Sequence, residues 1–123
     1  MNISLARQHY SMTKENSVGN TEQNALAIKL AMEQLLAAMN VLAKDPSPEE
    51  KEQNFELALT RIYILQKCLD FEAGGELARN LFSVYEHVRQ QIIKSSVGKD
   101  GADTLENAIE YITLIHQGWS EIV

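Results

Sequence analysis

Four runs of apolar residues step along this chain by alternating threes and fours, and strong breakers separate them. Ile28, Met32, Leu35, Met39 and Leu42 form the first run. Phe55, Leu59, Ile62, Leu65 and Leu69 form the second, and Leu77, Leu81, Val84, Val88 and Ile92 the third. Leu105, Ile109, Ile112, His116 and Trp119 close the set. This spacing puts one apolar stripe on each of four helices, and no stretch alternates with period two long enough to make a strand. Four helices of about twenty residues with short connections predict an all-α fold, an antiparallel up-down four-helix bundle. The bundle domain spans residues 21–123, and residues 1–20, mostly polar, read as a flexible N-terminal arm.

The breakers are legible one by one. Thr21 is placed to cap the first helix. Asp45-Pro46-Ser47-Pro48 stops it, and the same residues start the second: Ser47 caps, Pro48 suits the first helical position, and Glu50 completes a capping box. Gly74-Gly75 is expected to end the second helix, because glycine reaches the left-handed backbone that helices use to terminate. On that reading the pair makes the sharp turn back, with Asp70, Glu76 and Asn80 fixing it. Ser95 to Ala102 reads as a loop, including Gly98-Lys99-Asp100-Gly101, which lacks the spacing of a phosphate loop. Asp103 with Glu106 is the expected cap of the fourth helix.

Eleven Lys and Arg against seventeen Asp and Glu leave a net charge of −6, which argues against nucleic acid and anionic membranes as partners. A single cysteine, Cys68, cannot form an internal disulfide and fits a reducing, cytoplasmic setting. Residues 1–20 have no apolar core of signal-peptide length. The apolar stretch from Ala25 to Ala43 is interrupted by Lys29, Glu33, Gln34 and Asn40, so no membrane insertion is expected. His9, His87 and His116 do not stand at metal-ligand spacing with one another or with Cys68. His116 reads as a partly buried, hydrogen-bonded helix residue, and Cys68 as a small packing residue. No catalytic residue, metal or cofactor is expected, because an enzymatic bundle would need inward carboxylates or paired histidines.

The unusual feature is an excess of apolar residues. Between Ala25 and Ala43, 15 of 19 residues are hydrophobic, whereas a bundle helix needs only about three in seven. Leu26, Leu30, Leu36 and Val41 lie off the first stripe. Leu57, Ile64, Cys68 and Phe71 make a second row on the second helix, and Phe82, Tyr85 and Ile93 do so on the third. Wide-angle core packing accounts for part of this. The rest predicts a surface that receives something apolar, with Met32 and Met39 suited to an adaptable groove. The candidate partner-binding residues are Tyr10, Leu26, Leu30, Leu57, Ile64, Phe71, Phe82, Tyr85 and Ile93.

The segment from Leu69 to Tyr85 resembles the second-turn motif of the FliS family, the flagellin-specific export chaperones. Leu69, Asp70, Gly74, Gly75, Glu76, Ala78, Asn80, Leu81 and Tyr85 match that motif, with Val84 in place of its usual leucine. Tyr10 ahead of Asn16-Ser17-Val18, and Trp119 with Ile122, are similar to the family's two ends. The chain departs from it at Thr21 to Leu26, where the family has Ser-Pro and Glu-Leu, and it lacks the following Leu-Tyr-Asp-Gly block. The resemblance implies a cytoplasmic, non-catalytic chaperone that binds the disordered C-terminal segment of flagellin and prevents premature polymerisation. It also implies delivery to components of the flagellar type III export apparatus, and an arm whose Tyr10 occupies a pocket the client fills. From the residues alone, a bundle that homodimerises or binds another helical partner stays open, as does the choice between monomer and weak homodimer.

Overall fold

The computed structural model describes residues 21–97 and 101–120. They form α1 (Thr21–Leu42), α2 (Pro48–Lys67), α3 (Phe71–Ser95) and α4 (Gly101–Ser120). Residues 1–20, with Tyr10, and the chain end with Ile122 lie outside the described residues. Each helix packs against two others in a ring: α1 on α2 and α4, and α3 on α2 and α4. This is the four-helix bundle that the spacing predicts.

The α1–α2 boundary follows the sequence. The Ser47 hydroxyl accepts from the Glu50 amide and the Glu50 carboxylate accepts from the Ser47 amide, each at 3.3 Å. Two of the amides that a helix start leaves unpaired are thereby satisfied. Asp45 turns the chain with φ 53°, a left-handed conformation that a short polar side chain tolerates.

The α2–α3 boundary does not follow it. α2 ends at Lys67 with Cys68 as its C-cap, six residues before the glycine pair. The reason lies in Asp70: its carboxylate accepts from the amides of Glu72 and Ala73, both at 3.0 Å, so a helix starts there. Leu69, buried at 6% exposure, anchors the turn in the core. Gly75 sits inside α3, at φ 51° and ψ −126°, where it kinks the helix after its first turn. Glu76 and Asn80 are exposed on α3 beyond that kink, and Leu81 is buried. α4 likewise starts earlier than expected, at Gly101, which puts Asp103 inside its first turn.

Met32, Leu35, Met39, Ile62, Leu65, Tyr85, Val88, Ile92, Leu105, Ile112 and Trp119 form the centre of the core. Alanines at 31, 38 and 58 are buried among them and let helices approach closely. The Trp119 indole is fully buried and donates to the Ala25 carbonyl at 2.9 Å, tying the end of α4 to the start of α1. Ala25–Leu42 is apolar and long enough to cross a membrane by length and composition, with mean hydropathy 1.4. Here Ala25, Ile28, Ala31, Met32, Leu35, Ala38 and Met39 of that stretch are buried in the bundle core.

Candidate functional site

Helical geometry sorts the surplus apolar residues into core and surface. Tyr85, expected off the core stripe, is fully buried. The inward face of α3 runs Ala78, Leu81, Tyr85, Val88 and Ile92. It is rotated from the expected stripe, so Leu77 and Val84 move to its flank and only partly pack on the core. Met32 and Met39 are also fully buried and line no groove. Leu57 is partly buried against the core, and Ile93 is half-buried.

Five candidates remain on the surface: Leu26 at 53% exposure, Leu30 at 52%, Phe71 at 45%, Phe82 at 38% and Ile64 at 37%. Leu26, Leu30 and Glu33 follow at steps of four and three, so they share one face of α1. From that face Glu33 reaches the His116 imidazole of α4 at 2.8 Å. Leu26 and Leu30 stand on the outer face of α1, roughly opposite its buried residues, and His116 is the partly buried, hydrogen-bonded histidine its position predicts.

Phe82 flanks the α2–α3 seam. It lies one turn before Glu86, whose carboxylate accepts from the Gln66 amide of α2 at 3.0 Å. The Phe71 ring meets the Phe82 ring edge-on at 5.8 Å between centroids. Glu86 also holds Arg89, and these bonds, Arg89 first and Gln66 second, pull its carboxyl down to about 2. The α2–α3 seam thus carries an exposed aromatic pair beside a pinned carboxylate.

Tyr63, Tyr111, Leu114 and Val97 are further exposed apolar residues, outside the expected set. Tyr111 and Leu114 fall off the α4 stripe by the same angular test applied to the other helices, so the signal was there. Between α3 and α4, Ser83, Val84, His87 and Tyr111 line an open cleft of about 360 Å³, with the His87 and Tyr111 rings 5.8 Å apart. Among the described residues, no group of three or more His, Cys, Asp or Glu is placed to hold a metal.

Among the described residues the exposed apolar side chains are thus spread over all four helices, with Phe71 and Phe82 the one pair in ring contact. A family model described as flagellar protein FliS matches residues 6–123. The chain belongs to the FliS family. A flagellar secretion chaperone FliS of Vibrio cholerae is 30% identical over 92 residues, covering 75% of this chain and 66% of that relative. A flagellar secretion chaperone FliSB of Pseudomonas aeruginosa is 28% identical over 120 residues, 94% of this chain and 93% of that one. No solved structure gives a significant match. Within this FliS chain the family-like segment from Leu69 to Tyr85 has a structural meaning. It contains the turn anchor Leu69, the cap Asp70, the kink Gly75 and the core residues Ala78, Leu81 and Tyr85.

Proposed function

We propose that this chain is a cytoplasmic export chaperone that binds the disordered C-terminal segment of flagellin. Binding keeps that segment from polymerising early and holds it ready for the flagellar export apparatus. Family membership and the two relatives, both flagellar secretion chaperones, support a flagellar client. The observation that carries the binding mode is the set of half-exposed apolar side chains at Leu26, Leu30, Ile64, Phe71 and Phe82. A disordered segment that folds on binding has to bury apolar surface to offset its ordering cost, and these side chains offer it on a rigid scaffold. The seams between helices suit an amphipathic helix laid along them. The activity is binding, without a chemical step.

Calorimetry of the full chain against the flagellin C-terminal segment tests this. Coupled folding buries roughly 1,000–3,000 Å², so the heat-capacity change is expected to be clearly negative, and circular dichroism to gain helix on mixing. A near-zero heat-capacity change with no gain in helix would contradict the reading.

A further inference from the structure

Gln34 of α1 and Arg61 of α2 meet across the α1–α2 seam, where the Arg61 Nε donates to the Gln34 side-chain carbonyl. Both side chains are half-buried. Residues one turn away on a helix share its face, and around this pair every one of them is apolar. Four belong to the core. The outer four are Leu30 and Ala37 on α1, and Leu57 and Ile64 on α2. Leu30, Ala37 and Ile64 are exposed and Leu57 is half-buried. A short connection, residues 43–47, makes α1 and α2 antiparallel neighbours. Leu30 and Ile64 therefore stand at one end of the pair, and Ala37 and Leu57 at the other.

The charge at the centre of this apolar face lacks a counter-charge. Among the described residues no carboxylate pairs with Arg61 and its Nη atoms have no hydrogen-bond partner, although the chain carries 17 acidic residues against 11 basic ones. Arg89, by contrast, holds the Glu86 carboxylate on its own helix. With Nε taken by Gln34, the guanidinium keeps the edge formed by its two Nη groups. That fork matches a carboxylate through two parallel, charge-assisted bonds.

We infer that this face is a docking site for a helical segment of the client that carries one Asp or Glu between two apolar residues, with Arg61 as the anchor. The identity of the client rests on the flagellin reading above. Leu30 and Ala37 are seven residues apart, about 10 Å along the helix axis. A partner helix lying along the seam covers that distance in seven residues of its own. Apolar side chains at i and i+7 then meet the two ends of the face, and a carboxylate at i+3 or i+4 meets Arg61. A second copy of this chain does not complement the face. A two-fold dimer would set the face against itself, bringing two like charges together with no carboxylate one turn from either to receive them.

Calorimetry of the full chain with the flagellin C-terminal segment tests this, using also versions of the segment in which each Asp becomes Asn and each Glu becomes Gln, one at a time. One neutralised segment is expected to bind wild type about ten- to hundredfold more weakly. Arg61→Leu should bind the unaltered segment as weakly, and lose nothing more with the neutralised one. Arg61→Lys keeps the charge without the fork and should recover part of the affinity. Added salt should weaken wild type more than Arg61→Leu. Circular dichroism checks that both variants keep their helix, and the neutralised segments against wild type decide the matter without either. If no neutralised segment loses affinity for wild type, or if Arg61→Leu binds as tightly as wild type, the anchor is overturned and the flagellin reading stands. If wild type does not bind the segment at all, both are overturned. A wild-type dimer in light scattering that Ile64→Asp dissolves would give the face to a second copy and overturn the proposal as well.

Discussion

Ile62 and Ile64 stand two positions apart on α2 and should respond to the same substitution in opposite ways. Two residues along a helix is about 200° of rotation, and Ile62 is fully buried while Ile64 is 37% exposed. Ile62→Asp forfeits about 1.5–3 kcal/mol of apolar burial. It also leaves a carboxylate without a partner in the core, which adds at least about 1–3 kcal/mol. Together these approach the whole stability of a domain this size, about 5–15 kcal/mol. Ile64→Asp exposes its new charge to water and should cost about 1 kcal/mol or less. Urea unfolding followed by circular dichroism separates the two. With a slope of about 1–3 kcal/mol per molar, Ile62→Asp should lose its folded baseline or shift its midpoint by about 2 M or more. Ile64→Asp should stay within about 1 M of wild type, yet bind the flagellin segment at least about tenfold more weakly, a loss of about 1.4 kcal/mol. Equal destabilisation by both variants would refute the reasoning, since Ile64 would then be core and no part of a client surface.

Trp119→Phe removes the indole donor from the buried Ala25 carbonyl and is expected to cost about 1–3 kcal/mol in urea unfolding. Ser47→Ala removes the α2 cap and should cost about 1 kcal/mol by the same measurement. Glu86 has a folded-state pKa of about 2 against 4.5 ordinarily, so its stabilisation is present above about 4.5 and is lost as pH falls toward 2. Its side chain and that of Arg89 are each about a third exposed, so solvent screening keeps the effect to about 1 kcal/mol at most. Glu86→Gln should flatten that part of the stability–pH curve between 4.5 and 2.

Where periodicity and capping chemistry act locally, the sequence carried the fold. The Ser47–Glu50 box and the α1 stripe from Ile28 to Met39 were legible because each depends on residues within two turns. The α2–α3 turn was misread because two signals compete there. A glycine pair normally ends a helix, but Asp70 offers two hydrogen bonds to the amides beyond it and starts one earlier. The expected face of α3 shares Leu81, Val88 and Ile92 with the buried one but takes Leu77 and Val84 where the core takes Ala78 and Tyr85, because both sets fit the three-and-four spacing. On the surface, Leu26, Leu30 and Ile64 were legible by angle alone, whereas the Phe71–Phe82 contact depends on the Gly75 bend and has no sequence signal.

The account turns on whether the flagellin C-terminal segment is what these apolar side chains receive. Size-exclusion chromatography with light scattering, on this chain mixed with intact flagellin monomer or with flagellin lacking that segment, tests this most directly. A 1:1 complex with the intact protein and none with the truncated one is the predicted result. Equal complex formation with both flagellins, or none with either, would contradict it.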